Sequence, residues 1–287
     1  MFISRRIAKD RTMKFAATFI TLLFLTLSNV IAEHDGKIQI LLLGDSTTEG
    51  SIPRLLKPEG PHFEEVIRRL LAAETDLPAC NVIQCGVSGE YIRRLLDSGR
   101  YEKAASKLPG LDYIFVRYGI NDRARREKFS ENFTKDFQEL IALLRKDHPK
   151  ALIIPMTVIP FADKATSKEI NDLIFQVGRD EKLAVFDIYP RYAKELEKGH
   201  NMLNYRRYSI ENIPEKYREW MASQVHGGKV VVMGNEFDAL FGHLPGWTSD
   251  RHPNLAGYNV IADETAKYLA PILRTRMKKS PVKVEAN

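Results

Sequence analysis

Short apolar runs alternate with amphipathic stretches along most of this chain. Five of the runs have the length and the aliphatic, β-branched composition of buried strands. They cover residues 37–43, 81–85, 113–118, 152–156 and 184–188. Strands that are separated by helices are typical of a parallel sheet, because each parallel pair needs a long crossover connection.

The stretches between the strands carry apolar residues at the i, i+3, i+4, i+7 spacing of one helix face. This spacing predicts helices over residues 63–71 and 133–144, with Ser130 as the N-cap of the second. Two more helices are predicted over residues 168–181 and 255–273.

These elements predict one α/β domain over residues 33–275, followed by a polar tail over residues 276–287. The expected fold is a three-layer α/β/α sandwich with a five-stranded, mostly parallel sheet of the flavodoxin-like kind. In such sheets, ligands bind at the carboxyl ends of the strands. Candidate chemistry is therefore expected where the apolar runs stop.

Residues 198–246 break the alternation, and the pattern there predicts only one helix, over 215–224, and one strand, over 229–233. A long insertion in a compact domain is usually functional. Two interpretations are open: its aromatic residues pack the insertion onto the sheet, or some of them line a substrate cleft. The aromatic residues are Tyr205, Tyr208, Tyr217, Trp220, Phe237 and Phe241.

Residues 1–32 have the pattern of a signal peptide, with five basic residues before an apolar run and small residues near Ala32. A membrane anchor is the alternative, although the run is short and is interrupted by Thr and Ser. Removal of this segment lowers the formal charge from +6 to +2. We therefore expect an exported protein without stable membrane insertion and without a nucleic-acid partner, and we expect the doublets at 68–69 and 206–207 on solvated faces.

The two cysteines, Cys80 and Cys85, flank a predicted strand. An extended strand would separate their Cα atoms by about 16 Å at roughly 3.3 Å per residue. A disulfide needs about 4.4 to 6.8 Å. We therefore expect two free, buried thiols.

Four polar stretches follow strand ends or precede the last helix. The first is Gly-Asp-Ser at 44–46, where Ser46 is a candidate nucleophile, although the sequence is not the G-x-S-x-G elbow. The second is the glycine-rich turn at 86–89, whose backbone N–H groups either receive negative charge or form a plain turn. The third contains Asn121, whose amide can donate two hydrogen bonds, and the fourth places His252 two residues after Asp250.

In this order, Gly-Asp-Ser, Gly-x-Ser-Gly, Gly-x-Asn-Asp and His-Pro-Asn resemble the SGNH (GDSL-like) hydrolase family over residues 40–273. The resemblance implies that Ser46 is the nucleophile and His252 the general base. It also implies an oxyanion hole formed by the backbone N–H groups of Ser46 and Gly89 and the side-chain amide of Asn121. No cofactor and no metal site is implied.

The family usually places its orienting aspartate three residues before the histidine, but that position is Ser249 here. Asp250 lies one residue closer, which changes the direction of its side chain. Either Asp250 still reaches Nδ1 of His252, or a Ser-His dyad is oriented by a backbone carbonyl or by Ser249.

These features predict an exported serine ester hydrolase that removes O-acetyl or other short acyl groups from carbohydrate. The family resemblance also admits a lysophospholipase or another lipid-directed acylhydrolase, and an acyltransferase by the same covalent chemistry. A non-catalytic saccharide-binding module on the same fold is the alternative from another class.

Overall fold

The computed structural model describes residues 36–279. Its main sheet is parallel and has four strands in the order β2-β1-β3-β4. The strands are β1 (Ile38–Gly44), β2 (Cys80–Gly86), β3 (Tyr113–Arg117) and β4 (Leu152–Pro155). Gly44 lies opposite both Gly86 and Arg117, so the carboxyl ends of β1, β2 and β3 meet at one edge of the sheet.

The fifth predicted strand is reduced to one parallel bridge between Met156 and Phe186. Beyond this bridge, side chains replace the backbone ladder: Asp187 accepts a hydrogen bond from the Thr157 hydroxyl at 2.8 Å, and Thr157 Oγ1 accepts the Ile188 N–H at 3.0 Å. The segment still occupies the fifth position, which gives the flavodoxin-like order. The predicted fold class is therefore confirmed, with four regular strands where five were predicted.

Helices cover both faces of the sheet. Successive residues of β1 point to opposite sides, so both faces carry apolar side chains that need covering. Ile40 and Leu42 pack in one apolar core with Phe63 and Tyr258, whereas Leu41 packs in the other. The helices are α1 (Ser46–Glu49), α2 (Ser51–Leu56), α3 (Phe63–Ala72), α4 (Ile92–Asp97), α5 (Arg100–Ala104), α6 (Ile120–Arg125), α7 (Phe129–Asp147), α8 (Lys164–Asp180), α9 (Tyr189–Leu196), α10 (Glu215–Arg218), α11 (Asp238–Phe241) and α12 (Leu255–Lys279).

The predicted helices are present, but several ends differ from the prediction. Ser130 lies inside α7 and is not its N-cap; Lys128 holds that position with φ 45°, and its carbonyl accepts the N–H groups of Glu131 and Asn132. The backbone turn thus replaces the predicted side-chain cap. The last helix continues to Lys279.

The insertion forms a small antiparallel sheet with the order β5-β7-β6. Its strands are β5 (Arg206–Ser209), β6 (Val225–His226) and β7 (Lys229–Val232), and three 3₁₀ turns lie at His200–Leu203, Ile210–Asn212 and Ala222–Gln224. The predicted helix over 215–224 is shorter and ends at Arg218 as α10.

Most aromatic residues of the insertion pack in its own apolar core. The fully or largely buried members of this core are Tyr208, Ile213, Met221, Val230, Val232, Phe241 and Trp247. Tyr217 and Phe237 pack against it, whereas Trp220 stays 55% exposed. Packing is therefore the role of most of these aromatics, but onto the insertion itself, and only Tyr205 of the six lines the cleft described below.

Both cysteines are free, as predicted, with Cys80 buried and Cys85 half-buried. Burial raises the pKa of each thiol to about 11. Of the helices within residues 36–279, none combines the length and the apolar character that a membrane crossing requires. The signal peptide predicted over residues 1–32 lies outside the described residues and stays a prediction.

Candidate active site

Ser46 lies at the first position of α1, directly after β1 and the capping residue Asp45. The Asp45 carboxylate accepts the Thr47 N–H at 2.8 Å and the Thr47 hydroxyl at 2.7 Å, which fixes the turn from strand to helix. Gly44 is required at this turn, since a Cβ there would lie 2.7 Å from the carbonyl oxygen of Arg117. The turn therefore presents Ser46 at the carboxyl edge of the sheet.

A chain of hydrogen bonds joins Ser46 to the loop before α12. Ser46 Oγ lies 2.9 Å from Nε2 of His252, a residue 206 positions away in sequence. Nδ1 of His252 lies 2.6 Å from Oδ1 of Asp250. A serine, an imidazole and a carboxylate in this order can activate a hydroxyl as a nucleophile.

Asp250 reaches His252 despite its displaced position. Its Oδ1 also accepts the backbone N–H of His252 at 3.0 Å, the local pattern of an aspartate that bonds the backbone two residues on. This turn brings a carboxylate two residues upstream against Nδ1. Ser249 does not compete for the imidazole, because its hydroxyl donates to the Gly246 carbonyl at 2.7 Å.

The histidine loop is tied to the insertion by Asn254. The amide of this buried residue donates to the carbonyls of Met202 at 2.8 Å and Met233 at 2.9 Å, and its Oδ1 accepts the Gly257 N–H at 3.0 Å. The insertion thereby fixes the backbone on which His252 stands.

Two aromatic rings hold the imidazole plane. Phe161 meets His252 edge to face, with centroids 4.8 Å apart, and Tyr205 stacks on it at 5.7 Å with 13° between the planes. Sequence reasoning missed Phe161, which follows β4 within an apolar stretch and carries no distinguishing signal. It treated Tyr205 only as one aromatic among six.

The doublet at 206–207 does not lie on a solvated face, so that prediction is wrong. Arg206 is 1% exposed and pairs with Asp238, with 2.8 Å between Nε and Oδ1. Arg207 is half-buried, and its Nε lies 2.8 Å from Oδ2 of Asp250. Because β5 places alternate residues on opposite faces, the doublet serves two separate ion pairs.

Burial raises the pKa of the Asp250 carboxyl, but the hydrogen bonds and charge of His252 and the charge of Arg207 outweigh it. The net pKa is therefore below the usual value for aspartate. Asp250 remains an anion at neutral pH and can stabilise a protonated imidazole.

The three residues with candidate oxyanion donors, Ser46, Gly89 and Asn121, line the same cleft. Among the described residues, neither the Ser46 N–H nor the Gly89 N–H has a hydrogen-bond partner. Asn121 donates one of its two amide hydrogens to the Glu90 carbonyl at 3.0 Å, which leaves the other available. Gly89 has φ 74°, a left-handed conformation that favours glycine.

A buried carboxylate joins the two segments that carry Gly89 and Asn121. Asp122 accepts the Ile92 N–H at 2.9 Å through Oδ1 and the Gly119 N–H at 3.0 Å through Oδ2. Burial raises its pKa to about 7. Sequence reasoning did not assign a role to Asp122, although its place next to Asn121 in the Gly-x-Asn-Asp block was the available signal.

Ser46, Gly89, Asn121 and His252 line one cleft of about 310 Å³. Polar side chains outnumber apolar ones among the lining residues, where Ile52 and Pro53 are the purely apolar side chains. Within the described part of the chain, no group of three or more His, Cys, Asp or Glu side chains could hold a metal ion.

The fold is shared with solved hydrolase structures. The chain is 17% identical to Axe2, an acetylxylan esterase from Geobacillus stearothermophilus, with a TM-score of 0.51 over 81% of this chain and 94% of that one. It is 20% identical to LAE5, an alpha/beta hydrolase enzyme from the metagenome of Lake Arreo, Spain, with a TM-score of 0.50 and the same coverage. No curated protein sequence matches it.

Residues 42–206 match the GDSL-like Lipase/Acylhydrolase family, which is more than half of the chain. The matched part includes Ser46, Gly89 and Asn121, and the loop with His252 follows it. The resemblance seen in the four sequence blocks is thus confirmed, and the chain belongs to the GDSL-like lipase and acylhydrolase family.

Proposed function

We propose that this protein is an exported serine ester hydrolase that removes O-acetyl or other short acyl groups from carbohydrate. The observation that carries the proposal is the hydrogen-bonded chain from Ser46 through His252 to Asp250. It lies beside the backbone N–H groups of Ser46 and Gly89, which have no partner within residues 36–279. Export rests on the pattern of residues 1–32.

In the proposed reaction, His252 takes the proton of Ser46 as Oγ attacks the ester carbonyl carbon. Asp250 holds the imidazole in the required tautomer and stabilises its positive charge. The Ser46 N–H, the Gly89 N–H and the Asn121 amide receive the negative charge on the carbonyl oxygen. His252 then protonates the departing alcohol, and water releases the acyl group by the reverse sequence.

The short-acyl preference is supported by the cleft itself. A volume of about 310 Å³ lies at the small end of ligand sites, and eight of the twelve lining residues have polar or charged side chains. A long acyl chain would need a continuous apolar surface, whereas a sugar uses polar groups and an aromatic face. The acetylxylan esterase activity named for the similar Axe2 structure is in line with this proposal.

The test compares hydrolysis of p-nitrophenyl esters from acetate to long acyl chains with labelling by a fluorophosphonate. We expect fast turnover of acetate, and Ser46→Ala should abolish both turnover and labelling while the fold persists. A preference for acyl chains of about eight carbons or more would favour the lipid-directed alternative. No labelling of the wild-type protein would favour the saccharide-binding module.

A further inference from the structure

One charged side chain at the cleft has no place in the reaction proposed above. Among the residues that line the cleft, Arg207 alone carries a permanent charge, and its side chain is 37% exposed. No described residue accepts a hydrogen bond from either of its Nη groups. Arg207 therefore offers free donors to whatever occupies the cleft.

Arg207 lies on the histidine side of the cleft. Its Nε contacts Asp250 at 2.8 Å, and its guanidinium carbon lies 5.9 Å from the ring centroid of Tyr205, which stacks on His252. An ester bound for attack must place its alcohol oxygen against His252, because His252 protonates the leaving group. The carbonyl oxygen of the acyl group then points the other way, toward Gly89 and Asn121. Arg207 is therefore on the side of the alcohol part of the substrate.

The charges on this side favour an anionic alcohol part. The charges of Asp250 and Arg207 cancel, so these two residues and a neutral His252 together have no net charge. The three residues gain one positive charge when His252 is protonated during the reaction. Without Arg207, Asp250 would repel an anionic substrate. Asp250 is only 8% exposed, so a ligand carboxylate would meet the guanidinium first.

From this placement we propose that Arg207 binds a carboxylate on the alcohol part of the substrate, so that acylated uronic acids are preferred over acylated neutral sugars. The inference rests on the proposed function and names its substrate class. A planar guanidinium matches a carboxylate through two parallel N–H donors, which a neutral hydroxyl cannot reproduce.

The experiment measures kcat/KM for two O-acetylated methyl glucuronosides that differ only at C6, one a carboxylate and the other a primary amide. We expect the wild-type full chain to favour the carboxylate about ten-fold, the lower end for a hydrogen bond to a charged group, because Arg207 is partly exposed. Arg207→Gln should reduce this ratio to about one or below. Lys216→Gln, which removes an exposed cation outside the cleft, should leave the ratio unchanged.

The ratio separates substrate binding from a purely structural role at Asp250, because a structural defect lowers turnover of both substrates equally. If Arg207→Gln loses all turnover, the carboxylate-to-amide preference is measured instead as a ratio of equilibrium binding constants. These are determined for Ser46→Ala and for Ser46→Ala combined with Arg207→Gln, and the preference should be lost in the second protein. A ratio near one in the wild type, or one that Arg207→Gln leaves intact, would overturn the inference.

Two further results keep this inference distinct from the proposed function. If the wild type hydrolyses both sugars equally, or hydrolyses p-nitrophenyl acetate but neither sugar, the esterase stands and the role of Arg207 fails. If it hydrolyses neither sugar nor p-nitrophenyl acetate, the proposed function fails. The alternative that Arg207 binds a carboxylate on the acyl part is tested with the hemisuccinate ester of a neutral sugar, whose free carboxylate lies on the acyl group. A preference for the hemisuccinate that depends on Arg207 would place the carboxylate on the acyl part and overturn the assignment to the alcohol.

Discussion

The two sides of the cleft are built in different ways. The serine side stands on the ends of β1, β2 and β3, which are hydrogen-bonded neighbours in one buried sheet. The histidine side stands on a loop that Asn254 ties to the backbone of the insertion. The first side is set by the fold, whereas the second depends on an added segment with its own small core.

This difference separates the two kinds of chemistry. In the proposed reaction, the oxyanion donors must hold a fixed position, and the ends of strands in a packed sheet provide it. In the same proposed reaction, the imidazole of His252 must lie correctly for both Ser46 and the leaving group. Phe161 and Tyr205 contact its ring, and Arg207 contacts Asp250. Variation in the insertion can therefore change the alcohol side of the site without disturbing the oxyanion side.

On the histidine side, the largest loss of activity is expected when the charge of Asp250 is removed. Asp250→Asn keeps the size of the side chain but favours the wrong imidazole tautomer, and it should lower kcat by about 10⁴, as in other serine hydrolases. Steady-state kinetics on an acetyl ester measures this. Ser249→Ala is the matched control and should change kcat little. A loss of ten-fold or less for Asp250→Asn would indicate a Ser-His dyad instead.

The separate core of the insertion is tested with the two tryptophans of the chain. Trp247 is 1% exposed in the insertion core and donates to Asp238 at 2.7 Å, whereas Trp220 is 55% exposed. Trp247→Ala should lower the free energy of unfolding by about 3 to 5 kcal/mol, as expected for a large buried side chain. Denaturant unfolding measures it, with Trp220→Ala as control. Similar losses for both variants would contradict a separate insertion core.

On the serine side, the oxyanion role is tested at Asn121. Asn121→Ala should lower kcat by about 10² to 10³, or roughly 2.7 to 4 kcal/mol, with little change in KM. The reason is that its free amide hydrogen meets the carbonyl oxygen mainly in the transition state. An effect on KM alone would assign Asn121 to substrate binding.

The last mutational prediction concerns the pH dependence of stability at Asp122. Its folded pKa of about 7 is above the unfolded value near 3.8, so its favourable contribution is complete below about pH 4 and is lost as the pH rises toward 7. Asp122→Asn should remove this loss, on the order of a few kcal/mol. Unfolding free energies of both proteins across this range measure it. A difference that does not vary with pH would contradict the raised pKa.

More of the serine side than of the histidine side can be predicted from the sequence. Strand periodicity predicts where Ser46 and Asn121 stand, because the ends of parallel strands share one edge. The partners of His252 come from three separate segments, and nothing local to Phe161 or Arg207 indicates that they converge. The doublet at 206–207 resembles a solvated pair, and only the alternation of β5 assigns its members to Asp238 and Asp250.

The same limit applies to the smaller errors. The single bridge at Phe186 depends on the Thr157 and Asp187 side chains, which compete with the sheet ladder. The start of α7 depends on a left-handed Lys128, which residue preferences do not predict. A side-chain hydrogen bond decided the first and backbone geometry the second, whereas apolar periodicity predicted the layers.

In the proposed reaction, Ser46 is activated by His252 and becomes covalently bonded to the acyl group. The direct test is mass spectrometry of the protein quenched during turnover of an acetyl ester, with His252→Ala as the inactive control. We expect one acetyl group on the peptide that contains Ser46 in the wild type and none in the variant. An acetyl group on another residue, or turnover through a step that never acylates Ser46, would contradict it.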